Sequence, residues 1–72
     1  MDDCRGRKAI MNRDTPEIIN LFTGDPVVIL DEKWAGEEPL RRKKFEVRSL
    51  RRVGVEGWVN ESDVNVSDEK LW

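Results

Sequence analysis

The chain has 72 residues, 38% of them apolar and 39% charged, with a formal net charge of −2. A chain of this length holds one domain at most and a small core. No apolar run approaches the roughly 20 residues of a membrane helix, and the polar opening Met1-Asp2-Asp3-Cys4-Arg5-Gly6-Arg7-Lys8 does not have the composition of a signal peptide.

In chain order, residues 1–8 read as an N-terminal arm, expected to be disordered. Lys8-Ala9-Ile10-Met11 is a short apolar step able to open a strand, and Asn12-Arg13-Asp14-Thr15-Pro16 is a breaker cluster. Thr15-Pro16-Glu17 also has the make-up of a helix start, with a capping hydroxyl, a ring at the first turn and an acid near the positive dipole end. The segment 15–22 is too short for periodicity to decide between a helical turn and an extended loop. Val27-Val28-Ile29-Leu30, bounded by Gly24-Asp25-Pro26 and Asp31-Glu32, predicts a strand that Pro26 opens. Residues 31–41 read as a charged loop holding Trp34, Gly36 and Pro39. Phe45-Glu46-Val47-Arg48 alternates apolar with charged and predicts a half-buried strand, with Leu50 out of phase. Gly54 and Gly57 mark a turn into a strand around Trp58-Val59. Asn60-Glu61-Ser62-Asp63 is a capped turn, Val64-Asn65-Val66 alternates again, and 67–72 reads as a tail ending in Trp72. The expected core is Ile10, Val27, Ile29, Phe45, Val47, Val55, Val59 and Val64. Several short strands with turn residues between them predict an all-β chain, a small antiparallel barrel of about five strands spanning 9–66.

The chemistry available is narrow. The chain has no histidine and no tyrosine, which removes the commonest general base and the commonest zinc ligand. Cys4 is the single cysteine, so neither an internal disulfide nor a cysteine-based metal site is expected, and a lone thiol fits a reducing, cytoplasmic setting. Arg5 and Arg7 beside it favour a reactive thiolate, against which stands its place near a chain end. The adjacent acids Asp2-Asp3, Asp31-Glu32 and Glu37-Glu38 point to opposite sides of a regular element and make poor acid–base pairs. Ser49, Ser62 and Ser67 have no base beside them in sequence. No catalytic set, no cofactor and no small-molecule substrate are expected.

Charge is unevenly placed. Residues 40–52 hold Arg41, Arg42, Lys43, Lys44, Arg48, Arg51 and Arg52 against Glu46 alone. On an alternating strand Lys44, Glu46 and Arg48 share the outward face, with Arg51 and Arg52 at the turn. The plainer reading is a solvated surface; the sharper one is a basic face for an acidic partner.

From Phe22 to Asp68 the chain resembles a Src-homology-3 (SH3) domain. Phe22-Thr23-Gly24-Asp25-Pro26-Val27-Val28-Ile29-Leu30 is similar to the segment in which a Gly-Asp turn opens the second strand. Phe45-Glu46-Val47-Arg48-Ser49-Leu50 is similar to the strand that usually begins with two tryptophans. Gly54-Val55-Glu56-Gly57-Trp58-Val59-Asn60-Glu61-Ser62-Asp63-Val64 is similar to the closing Gly-x-x-Gly-aromatic-aliphatic-Pro-Ser-Asn-Tyr-Val run. The resemblance implies an SH3-like barrel, with a loop over 31–43 longer than usual. It also implies a site for proline-rich peptides, which dock between aromatic rings. Here the residues depart from the pattern: the first tryptophan of the pair falls on Lys44, the proline on Asn60 and the tyrosine on Asp63, and the first-strand aromatics fall near Met11 and Asn12. The barrel is therefore expected without the proline-peptide activity.

Two functions follow as expectations. The first is a non-enzymatic protein–protein interaction module or a small accessory subunit of a larger assembly, with Trp34, Lys44 and Trp58 as the candidate protein-binding residues. Of these, Trp58 has the stronger structural reading, and Trp34, in a charged loop, is the better contact. The alternative is nucleic-acid binding through Arg41, Arg42, Lys43, Lys44, Arg48, Arg51 and Arg52. An isoelectric point near 5.1 and the lack of interleaved aromatics weigh against it. Charge reversal at Arg51 and Arg52 is expected to abolish such binding and leave the fold intact.

Overall fold

A computed structural model of the chain describes residues 4–71; Met1–Asp3 of the expected arm and the terminal Trp72 lie outside the described residues. The protein is all-β. Five strands, β1 (Arg7–Met11), β2 (Pro26–Ala35), β3 (Arg42–Ser49), β4 (Glu56–Asn60) and β5 (Val64–Lys70), form one antiparallel sheet in the order β4-β3-β2-β1-β5, and a 3-10 turn (Glu61–Asp63) joins β4 to β5. The sheet is open: β4 and β5 are its two edges, with the 3-10 turn between them instead of the ladder that would close a barrel. It curls, so that Ala9 and Met11 of β1, Val27 and Ile29 of β2, Phe45 and Val47 of β3, Val59 and Val64 share one core with Leu21 from the long β1–β2 loop. Residue Leu30 is skipped in the β2–β3 register, a bulge that bends the long strand.

Several boundaries differ from the sequence reading. The ordered fold begins before residue 9: Gly6 donates its N–H to the Ile29 carbonyl at 2.7 Å, and Arg7 and Lys8 already belong to β1. At the other end β5 continues past 66 to Lys70, and the Leu71 N–H reaches the Gly6 carbonyl at 2.6 Å. Strand pairing on both sides of β1 fixes its phase, which turns Ala9 and Met11 inward and leaves Ile10 on the outer surface, against expectation. Val28 is buried although its strand neighbours fill the core face, and Val55 is only half-buried at the core margin. Residues 31–35 and 42–43 are strand, not loop; the β2–β3 connection is confined to 36–41.

The segment 12–25 forms no helix. The Thr15 hydroxyl donates to the Leu21 carbonyl at 3.1 Å and the Ile18 N–H to the Thr15 carbonyl at 3.0 Å, closing a compact loop that buries Thr15 and Leu21. Of the two forms the sequence left open for 15–22, the structure takes the non-helical one, with Leu21 inside and Ile19 in solvent. The two glycines of the closing motif have separate roles. Gly54 has φ +82° and turns the chain between β3 and β4. Gly57 is needed for close approach, because a Cβ there would lie 2.7 Å from Ile18 Cδ1. Ile18 thereby fastens the loop 12–25 onto β4.

Candidate interaction surface

β2 and β3 stay paired beyond the body of the sheet. Lys33 lies opposite Lys44, Trp34 opposite Lys43 and Ala35 opposite Arg42, whereas β4 ends at Asn60 opposite Lys44 and β1 reaches β2 only as far as Val28. Residues 33–43 therefore project as a two-stranded ribbon. Trp34 sits on it, 57% exposed, outside the core, with the Arg41 guanidinium 5.6 Å from its ring centre. Between the ribbon and the 3-10 turn lies a cleft of about 340 Å³, bordered by Trp34, Arg41, Arg42 and Lys43 on one side and Asn60, Glu61 and Ser62 on the other.

Lys44 and Trp58 come together elsewhere. Register puts Trp34 on the face that carries Lys43 and Phe45, and Trp58 on the opposite face with Glu46 and Lys44. The half-buried Trp58 ring carries the Lys33 ammonium 4.2 Å from its centre. Lys44, Trp58, Asn60, Arg13 and Asp63 border a small polar cleft of about 110 Å³ under the loop 12–25. Its buried acid, Asp63, accepts from the Asn60 N–H at 3.1 Å and pairs with Arg13 at 3.3 Å. The three candidate protein-binding residues thus border two separate clefts, Trp34 one and Lys44 with Trp58 the other, with Asn60 bordering both. Of the first-strand positions where the resemblance places aromatics, Met11 is in the core. Asn12 bonds the Ser62 carbonyl at 2.9 Å and the Asn65 side chain at 3.3 Å, so neither adds to a groove.

Most of the basic residues of 41–52 have acidic partners. Arg48 pairs with Glu56 at 3.0 Å, Lys43 with Glu32 at 3.4 Å and, more loosely, Arg41 with Glu38 at 4.0 Å. Arg51 and Arg52 both turn onto the carboxylate of Asp25, at 3.4 Å and 2.7 Å. Among the described residues only Arg42 and Lys44 of the seven have no acidic partner.

Asp25 is the residue that the sequence reading missed. It is 2% exposed and accepts the Phe22 N–H at 3.0 Å as well as the two guanidinium groups. The backbone hydrogen bond from Phe22 holds its carboxyl below the usual aspartate range; burial opposes this, and Arg52 and Arg51 reinforce it. Arg52 also donates to the Asn20 carbonyl at 3.2 Å. The Ser49 hydroxyl oxygen accepts the N–H groups of Arg51 and Arg52 at 3.1 and 3.0 Å, which fixes the turn that presents them. Arg51 and Arg52 are structural, so reversing their charge strikes the fold as well as any binding. No local signal ties Asp25 to arginines 26 and 27 residues away; Gly24-Asp25-Pro26 reads only as a turn.

The remaining sequence candidates are also placed. Cys4 is half-buried against the core edge, and its N–H lies 3.4 Å from the Glu32 carboxylate. The flanking Arg5 pairs with Asp31 at 2.9 Å and Arg7 with Asp68 at 3.9 Å. Ser67 accepts the Glu69 N–H at 3.0 Å. Among the described residues no helix is long and apolar enough to cross a membrane, and no three metal-ligating side chains of the His, Cys, Asp or Glu type gather. Comparison with family models, with curated proteins and with solved structures returned no match to this chain.

Proposed function

We propose that the chain is a non-enzymatic protein-interaction module, or a small accessory subunit, of the SH3-like type, acting in the reducing cytoplasm. Its partner docks on the ribbon at 33–43, not in a proline-peptide groove. The observation that carries this reading is the exposed Trp34 indole on a ribbon that adds nothing to the core. An aromatic anchor held on a rigid hairpin loses little conformational freedom on binding, which is why such residues dominate interface energetics. Arg42, which borders the same cleft as Trp34 and has no acidic partner among the described residues, favours a partner segment that combines an acidic side chain with an apolar one. The strand order, the 3-10 link before the last strand and the Gly54–Val64 run support the SH3-like assignment. In the place of the groove aromatics stand Lys44, Asn60 and Asp63, which offer an ammonium, an amide and an acid already paired with Arg13.

Nucleic-acid binding is the second reading. It draws on Arg42 and Lys44, which lack acidic partners; Arg42 borders the cleft of the exposed Trp34 and Lys44 that of Trp58, and cations beside aromatic rings suit single strands. Ion pairing of the other five cations favours the first.

The test is a titration followed by the Trp34 indole N–H and backbone amides in NMR spectra. An acidic peptide with an aromatic or aliphatic centre is expected to shift Trp34 and Arg41–Lys43. Trp34→Ala is expected to abolish the response while its stability stays within about 0.5 kcal/mol of the parent, as for a surface substitution. Silence of the ribbon, or shifts centred on Lys44, Asn60 and Asp63 with a proline-rich peptide, would overturn the reading.

A further inference from the structure

The edge strand β4 offers a second surface. The Ser49 N–H donates to the Val55 carbonyl at 2.8 Å, and this bond sets the phase of the β3–β4 ladder. Val47 with Gly57 and Phe45 with Val59 are then the hydrogen-bonded pairs, while Arg48 with Glu56, Glu46 with Trp58 and Lys44 with Asn60 are the non-bonded ones. The backbone N–H and C=O of Glu56, Trp58 and Asn60 consequently point away from the sheet. The Asn60 N–H is satisfied by the Asp63 carboxylate at 3.1 Å, which ends the usable edge there. Glu56 and Trp58 have no backbone partner on that side among the described residues.

We propose that two copies of this chain pair through β4, antiparallel, about a two-fold axis at Gly57. This register places Glu56 of one copy opposite Trp58 of the other in both halves. The four free N–H and C=O groups of each copy then form four hydrogen bonds across the axis, and the two open sheets become one. The geometry favours a second copy because the free groups are self-complementary about Gly57, as a two-fold interface requires. Gly57 itself falls at the close, non-bonded pair, where it brings no side chain. Beside the edge runs a shallow groove of about 440 Å³ in which Ile18, Ile19, Val55 and Trp58 lie beside Glu17 and Glu56. Ile19 in that groove is 81% exposed, so pairing along β4 would cover apolar surface. On the other face Glu56, held by its own Arg48 at 3.0 Å, would meet the partner's Trp58, whose ring carries Lys33, so that an acid faces a cation across the axis. The opposite edge, β5, is blunted by Asp68, Glu69 and Lys70. With so short a ladder the dimer belongs to the weak, transient class of interface.

The test is sedimentation equilibrium of the full chain from about 10 µM to about 1 mM, the span over which a weak dimer populates. Amide hydrogen exchange is read over the same range. A reversible dimer is expected, with the Trp58 amide becoming protected as concentration rises. Glu56→Pro removes an outward N–H and no β3–β4 ladder bond. Ile19→Asp places a charge in the exposed patch and touches neither the core nor the edge, so it serves if Glu56→Pro fails to fold. Each is expected to weaken dimerisation by about tenfold or more. A monomer at every concentration, a dimer whose Trp58 exchange does not change, or Ile19→Asp folded and dimerising like the parent would overturn the proposal. Protection of the Trp58 amide only by an added foreign peptide would replace the second copy with another occupant and overturn it too.

Discussion

Asp25 shows how one side chain can decide what a run of charge means. Its carboxylate joins the start of β2 to the β3–β4 turn through Arg51 and Arg52, and the Phe22 N–H binds it to the long loop. Asp25→Asn keeps the shape and gives up the charge, and is expected to cost about 1–3 kcal/mol in urea unfolding at neutral pH, as for hydrogen bonds to a charged group. The pH dependence has a definite sign. A carboxyl lowered in the folded state leaves the unfolded chain binding more protons. The stability it contributes is therefore complete above the ordinary aspartate value of about 4 and is lost as pH falls through the lower folded value. Asp14, held down by the Thr23 N–H and hydroxyl, and Asp31, held down by the Glu32 N–H and then Arg5, act in the same direction. Unfolding curves between pH 7 and pH 2 should thus show an acid limb that Asp25→Asn makes shallower without abolishing. Arg51→Glu with Arg52→Glu is harsher, since it leaves Asp25 buried among like charges. A loss of about 3 kcal/mol or more is expected, close to everything a core of this size supplies. Circular dichroism should show an unfolded chain, whereas Arg42→Glu with Lys44→Glu should stay folded.

Among the elements, what the sequence revealed was what local chemistry controls. Phe45, Val47 and Ser49 alternate with charged neighbours, and the strand, its phase and its buried face followed directly. Pro26 opened β2 as its missing N–H requires. β1 went the other way. Ala9, Ile10 and Met11 are consecutive apolar residues, so nothing local selects which of them face inward, and the expected core residue Ile10 had no pattern to fix its phase. Pairing with β2 on one side and β5 on the other selects Ala9 and Met11 instead. The loop 12–25 was illegible for a related reason: its shape depends on Ile18 meeting Gly57, 39 positions away. The Trp34 ribbon was hidden because its strands are charged throughout, and the tryptophan looked like a loop residue. The Ile18–Gly57 contact gives a direct test. Gly57→Ala forces Ile18 to move and is expected to destabilise by about 1–3 kcal/mol, the usual range for overpacking. Ile18→Ala in the same chain removes the clash, so the double variant should lose less than the sum of the single losses. A double-mutant cycle in urea reads the coupling, and additivity would show that the loop is not anchored there.

At the scale of the whole molecule the question is whether the charge outside the ion pairs suffices for nucleic acid. Net charge is −2, and of the seven cations in 41–52 only Arg42 and Lys44 have no acidic partner among the described residues. Each phosphate neutralised on a single strand steepens the dependence of log affinity on log salt by about 0.7. Two free cations therefore predict a slope no steeper than about −1.4, and all seven engaged together would give about −5. Fluorescence anisotropy of a labelled single-stranded oligomer at a series of salt concentrations separates these values without knowledge of the sequence bound. The shallow slope, with weak affinity throughout, is the expected result. It would mean that the arginines at the β3–β4 turn stay on Asp25 and that the basic run mainly holds the sheet together. A steep slope would require Arg51 and Arg52 to leave a buried carboxylate for phosphate. Binding would then be coupled to loosening of the loop 12–25, read as faster amide exchange in that loop when the oligomer is bound.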